Sequence, residues 1–317
     1  MNIQKVIFPS RPQIDTICAF YILQKYGMSH FIGIESAYIS VSPMTHSLKS
    51  GEYLDSSGVL YLDCNQSIFD HHIKENTCLT DLVIDHLGLQ HNAELDKIKA
   101  FAKRDDLQGK GIISQDKLDK AFGLPGLLTN LNKSSRYTAH DIFHIILPLL
   151  EAHVEEEKKR IYDMPEEIKR KSLTSEFVPF SCEQKGKKLS CCMIYSDTTS
   201  IGGYLRSSLG GYYDVVIQVK SSGHITILTR PLHKISLRGL ILLIRLEELA
   251  SKNKNIEIGT EQLLAAGTIE SVPEWYYDTA TNSLFNGGSS TAVAPTTINT
   301  EQLIEIVRMG ISEKMLG

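Results

Sequence analysis

The run Val59-Leu60-Tyr61-Leu62-Asp63, followed seven residues later by Asp70-His71-His72, gathers carboxylates and imidazoles in one short segment. Hard carboxylate oxygen mixed with imidazole nitrogen suits a divalent ion such as Mn²⁺, Mg²⁺ or Zn²⁺. Adjacent histidines alone say little. Here they are joined by Asp15, near another strand-like run, and by Asp105 and Asp106 of Arg104-Asp105-Asp106. Asp15, Asp63, His71 and one of Asp105 or Asp106 offer three carboxylates and one imidazole, whose negative charge offsets that of a divalent cation. A catalytic ion also needs an open position for water or substrate. His72, next to His71, points elsewhere and is suited to orienting a ligand or donating to a phosphate. The plainer alternative is a set of helix caps plus a hydrogen-bonded buried histidine, with Asp15 capping the helix it begins.

The elements that must position these groups alternate strand and helix. Val6-Ile7-Phe8 reads as a first strand. Residues 15–26 read as a helix with Ile17, Phe20, Tyr21 and Leu23 on one face and Gly27 as its stop. Phe31-Ile32-Gly33-Ile34 reads as a second strand and residues 59–62 as a third. Short apolar strands separated by helices indicate a mostly parallel sheet with helices on both faces, in which ligands gather at the strands' carboxyl ends. Asp63 and Asp15 both occupy such positions. Helices follow over residues 80–87, closed by Gly88, and 93–103, which delivers Asp105 and Asp106.

Residues 138–171 read as a helical connector, with Pro165 starting its second segment. Its run Glu155-Glu156-Glu157-Lys158-Lys159-Arg160 implies an exposed face. Beyond it, residues 191–195, 213–220 and 224–229 read as strands, the last two joined in a hairpin by Ser221-Ser222-Gly223. Residues 237–251 and 300–309 read as helices, and 286–297 as a loop. The fold class expected is α/β: a domain over residues 1–137, a connector over 138–173, and a smaller C-terminal α/β domain with a mixed sheet over 174–317.

A chain of 317 residues can bury a good core, and its 42% apolar and 22% charged content are those of an ordinary globular protein. A formal charge of −4 gives no global electrostatic reason to expect nucleic acid, although a local basic groove remains compatible with it. The six cysteines follow no CxxC pattern, the N-terminus starts directly with a strand, and the apolar run 237–249 is interrupted by Arg238, Arg245, Glu247 and Glu248. A reducing, cytoplasmic setting without membrane contact is the expectation.

Phe69-Asp70-His71-His72, Asp63 at the end of an apolar strand, and Ile14-Asp15-Thr16-Ile17-Cys18-Ala19 together resemble the DHH phosphoesterase superfamily. That superfamily includes exonucleases, oligoribonucleases, cyclic-dinucleotide phosphodiesterases and manganese-dependent inorganic pyrophosphatases. The resemblance covers about the first 110 residues in its motifs and the rest only in outline. It implies a catalytic domain followed by a DHHA1-like substrate-binding domain. It also implies two metals bridged by Asp63, but Pro9 and Gln13 stand where two ligands of one metal belong. One complete site remains, so one firmly bound Mn²⁺ (or Mg²⁺) is expected rather than two. Arg11, beside the missing ligands, has the charge to face a phosphate; with His72 and Asp70 it completes the expected catalytic group.

In the second domain, the family's GGH motif corresponds to Gly202-Gly203-Tyr204, with tyrosine in place of histidine. Gly202, Gly203, Arg206, His224 and Arg230 are the expected anion-binding group. Trp275-Tyr276-Tyr277 offers a base-stacking platform but fits core packing better. Cys191-Cys192 fits strand packing. His140 and His144, four apart on one helical face, have a spacing that binds zinc, but without a third ligand they read as ordinary helix histidines. The function implied is hydrolysis of a phosphodiester in a short single-stranded oligonucleotide or a nucleotide. The alternative is a catalytically weakened relative that binds nucleotide, nucleic acid or a protein partner; a homodimer is compatible with either. Pyrophosphate fits less well, because few cationic side chains accompany the acids.

Overall fold

The computed structural model describes residues 2–41, 54, 57–64, 67–109, 114–231, 234–252, 258–287 and 293–312. The chain divides into two compact units, Met1–Ile161 and Tyr162–Gly317.

The first unit carries a parallel sheet in the order β2-β1-β3, from β1 (Lys5–Phe8), β2 (Tyr38–Val41) and β3 (Val59–Tyr61). Between β1 and β2 runs α1 (Ile14–Tyr26). After β3 come α2 (Leu79–Leu87), α3 (Asp96–Gln108), α4 (Lys117–Phe122), α5 (Leu124–Lys133) and α6 (Ala139–Lys158). Every residue of α1 from Ile14 to Leu23 is buried, so the single apolar face expected of it is replaced by burial all round. It packs against α2, α3 and α6. Phe8, Phe20 and Phe143 lock sheet, α1 and α6 together through ring contacts of 4.6–5.3 Å between centroids.

Residues 31–34 form turns instead of the expected strand. Ile34 N–H donates to Phe31 O and Ser36 N–H to Gly33 O, and Gly33 sits at φ +88°, which closes the extended path. The strand at that point in the order is β2, four residues further on. In the charge run of α6, Glu157 is buried and pairs with Lys97 Nζ at 2.7 Å, so that face is only partly solvated.

A π-helical stretch, Lys159–Asp163, leads from α6 into α7 (Met164–Leu173), where Pro165 occupies the first turn as expected. The second unit then builds a mixed seven-stranded sheet in the order β4-β5-β6-β7-β10-β9-β8. Its strands are β4 (Phe177–Gln184), β5 (Lys187–Tyr195), β6 (Val215–Val219), β7 (Ile225–Thr229), β8 (Gly267–Ile269), β9 (Val272–Asp278) and β10 (Ser283–Asn286). Only β5 and β6 pair in parallel; every other neighbour is antiparallel. The helices are α8 (Ile201–Leu205), α9 (Arg238–Ser251), α10 (Thr260–Leu263) and α11 (Thr300–Ile311).

Strand alternation divides this unit's core. Cys191, Met193, Val215 and Ile217 join the cluster under α9 and α11, while Cys192, Ile194 and Val216 join the one with Met164, Ile201 and Leu205. The adjacent cysteines are therefore packing residues on opposite faces, and all six cysteines are buried thiols. Trp275 is fully buried in the core, so it offers no stacking platform. Of the loop expected over residues 286–297, Asn286 closes β10 and residues 288–292 lie outside the described residues. Among the described residues, no helix is long and apolar enough to cross a membrane.

Candidate metal centre

Three segments of the first unit converge at the carboxyl end of its sheet. Leu62 N–H donates to Ile7 O and prolongs the β1–β3 pairing, and Asp63 follows at φ 59°. That left-handed conformation costs a non-glycine residue about 1–2 kcal/mol, which aspartate tolerates better than most. The surrounding loop holds it there. Asp63 N–H donates to Phe69 O, Asp70 N–H to Ser67 O, and the Ser67 hydroxyl to Tyr61 O. The turn returns the chain so that the short 3₁₀ helix His71–Ile73 begins beside Asp63.

His71 Nδ1 lies 2.8 Å from Asp63 Oδ1 and 4.0 Å from Asp15 Oδ2, and its Nε2 lies 3.2 Å from Asp106 Oδ2. Two groups result, Asp63/His71/His72 and Asp15/His71/Asp106. Within each, one ligand atom per residue lies within 4.8 Å of the others. The close carboxylates of Asp106 and Asp63, outweighing burial, push His71 up to about 10.

One detail favours a cation between these groups. Asp63 Oδ1 and His71 Nδ1 are buried, and neither meets a hydrogen-bond partner, despite their 2.8 Å approach. Two atoms that each bind one ion at about 2.1 Å and at right angles stand about 3.0 Å apart. The spacing and the missing hydrogen-bond geometry both fit ligands aimed at a common point. The Thr16 hydroxyl donates to the other oxygen, Asp63 Oδ2, at 3.3 Å, a supporting contact that the motif spacing did not single out.

Asp15 has a second task. Its Oδ2 accepts from Leu79 N–H at 2.7 Å and its Oδ1 from Thr80 N–H at 2.8 Å. It therefore caps α2, not the helix it begins, and still retains a lone pair on each oxygen for an ion. Burial pushes its carboxyl up, against the hydrogen bonds from Thr80 and Leu79. A cap across 64 residues carries no local sequence signal.

His72 and Asp70 form a pair of their own. Asp70 Oδ1 lies 2.8 Å from His72 Nδ1 and accepts His72 N–H at 3.2 Å. Donating through Nδ1 to Asp70 leaves that nitrogen unable to bind an ion, although it is 3.6 Å from Asp63 Oδ1. His71 is common to the two groups, with Asp63 beside it in one and Asp15 and Asp106 in the other. Asp105 is buried one residue away, within electrostatic reach of the Cys18 thiol, and belongs to neither group. Arg11 and Gln13 are exposed on the β1–α1 loop and Pro9 is half-buried.

In the second unit the expected anion group is divided. Arg206 and Arg230 line a cavity of about 610 Å³ with Lys234, Thr279, Thr281 and Asn282. Arg206 donates to Gly202 O and Thr229 O, and Arg230 pairs with Asp214 at 2.7 Å. His224 precedes β7 while Arg230 follows it, six residues and about 20 Å away at strand rise. It contacts Ser222 and Val293 O instead. Gly202 is the more closely packed of the pair: a Cβ there would lie 2.6 Å from the movable tip of Leu228, at Cδ1, whereas one at Gly203 meets open space.

No family model matches the chain, and no curated protein matches it. Among solved structures it is similar to an uncharacterized protein from Helicobacter pylori G27, at 12% identity over 97% of this chain and 99% of that one, with a TM-score of 0.29. So distant a likeness assigns neither fold nor function, and the reading of the site rests on its geometry.

Proposed function

We propose that the chain is a divalent-metal-dependent phosphoesterase that hydrolyses a phosphodiester of a short oligonucleotide or nucleotide. The observation that carries this reading is the buried Asp63 Oδ1–His71 Nδ1 approach of 2.8 Å, made without a hydrogen bond. Asp15, Asp63, His71 and Asp106 would hold one Mn²⁺ or Mg²⁺. An ion there supplies Lewis-acid polarisation of a phosphoryl oxygen and makes water a better nucleophile. Asp70 accepts from Nδ1 of this half-exposed ring, so His72 would donate to a phosphoryl oxygen through Nε2 in its imidazolium form, in which both ring nitrogens carry a proton. Arg11, exposed on the neighbouring loop, adds positive charge against the substrate's phosphate.

The test is hydrolysis of bis(p-nitrophenyl) phosphate with Mn²⁺. The wild type should turn over, and Asp63→Asn and His71→Ala should each lose most of the rate. Equal rates in all three proteins would remove the proposal.

A second reading is supported by His71 itself. As an imidazolium between Asp63 and Asp106, it offsets part of the carboxylates' charge without a metal, and Pro9 and Gln13 add no ligand. In that case the chain binds nucleotide or a partner without cutting. Pro9→His combined with Gln13→Asp separates the two readings: a large gain in Mn²⁺-dependent turnover from a silent wild type would favour the non-catalytic one.

A further inference from the structure

We infer that His140 and His144 on α6 form a bidentate surface site for a late first-row transition ion of the Zn²⁺/Cu²⁺ class, separate from the Asp63–His71 centre. The two Nε2 atoms converge to 3.1 Å, with ring centroids 4.2 Å apart. One helical turn separates the residues, so both rings rise from the same face. Both histidines are exposed, leaving the remaining coordination positions of an ion open to water.

The spacing suits a chelate. Two nitrogens at about 2.0–2.1 Å from one ion stand about 2.9–3.4 Å apart, between right-angled and tetrahedral geometry. A neutral pair can share one N–H···N hydrogen bond at the same distance; when an ion binds, the donating ring shifts its proton from Nε2 to Nδ1, so both Nε2 lone pairs face the ion. Asp141 adds a favourable field: it lies close enough to both rings for them to lower its carboxyl, alongside the larger effect of its hydrogen bonds with Thr138. The Thr138–Asp141 capping box fixes the first turn of α6, so little ordering is required on binding. The missing third ligand that weakens the sequence pattern is offset by this preorganisation.

The donor set predicts selectivity. Imidazole pairs favour Cu²⁺ and Zn²⁺ over Mn²⁺ along the Irving–Williams order, whereas the carboxylate-rich centre accepts Mn²⁺. The experiment is calorimetric titration of the full chain with Zn²⁺, repeated with His140→Ala, His144→Ala and His144→Gln. Wild type should bind one equivalent more than any variant, or bind that equivalent at least tenfold more tightly. Mn²⁺ binding should be the same in all four proteins, and their circular dichroism should coincide, since alanine at an exposed helical position is benign. Identical Zn²⁺ isotherms in all four would overturn the inference. A chain that lacks the Asp63–His71 metal centre should still show the α6 equivalent, so the two claims fail separately.

Discussion

His71 Nδ1 and Asp63 Oδ1 lie 2.8 Å apart, both buried, with no hydrogen bond formed between them. Nearby, Asp15 spends both oxygens on the first N–H groups of α2. The two acids should therefore respond differently to removal. Asp15→Ala orphans two buried donors and should cost about 1–3 kcal/mol of metal-free stability. Asp63→Asn, which keeps a side chain tolerant of the left-handed backbone, should cost less. Urea unfolding in chelator checks this; equal losses would remove the distinction between cap and ligand.

Asp70 holds His72 at 2.8 Å and is placed to act through it, not on an ion. Asp70→Asn should leave Mn²⁺ affinity within about threefold and lower kcat about 10–100-fold, the usual effect of losing such an orienting partner. Steady-state kinetics with a metal titration reads both quantities. A parallel collapse of metal affinity would make Asp70 a ligand.

Much of this centre was legible in the chain, because strand ends and an Asp-His-His segment are local patterns. Asp63 and His71 meet as their spacing suggests, His72 stacks on His71 instead of pointing elsewhere, and Asp106 approaches from the last turn of α3 while Asp105 belongs to neither group. What escaped were relations between distant segments. The all-round burial of α1 depends on three later helices, and the capping of α2 by Asp15 spans 64 residues. Residues 31–34 have strand-like composition, yet Gly33 at positive φ turns the chain there. The expected anion group divides because His224 and Arg230 lie at opposite ends of β7, a separation that nearness in sequence does not show.

Gly202 and Gly203 separate packing from ligand approach. A Cβ on Gly202 meets the movable tip of Leu228, so Gly202→Ala should be less stable than Gly203→Ala by about 1 kcal/mol. Gly203→Ala has open space and should be neutral or stabilising by up to about 1 kcal/mol, since alanine is the better helix former. Chemical denaturation of the two variants decides it; equal costs would contradict the packing around α8.

Glu167 gives the second unit an acid-sensitive joint. Burial raises its carboxyl, but hydrogen bonds from Ser196, Lys171 and Thr198 outweigh it and hold the group below its usual range. A depressed carboxylate contributes stability above its unfolded pKa of about 4.3, and that contribution fades as pH falls through the folded value. Glu167→Gln should thus cost about 1–3 kcal/mol at pH 7 and progressively less toward pH 3. Denaturant unfolding at both pH values checks the sign; a deficit that grows on acidification would contradict it.

The most direct measurement is Mn²⁺ binding followed by the electron paramagnetic resonance signal of the free ion, in wild type and His71→Ala. One equivalent per wild-type chain, weakened at least tenfold by the substitution, is the result expected if His71 and the surrounding aspartates grip a cation. Equal binding by the two proteins, or none by either, would contradict it.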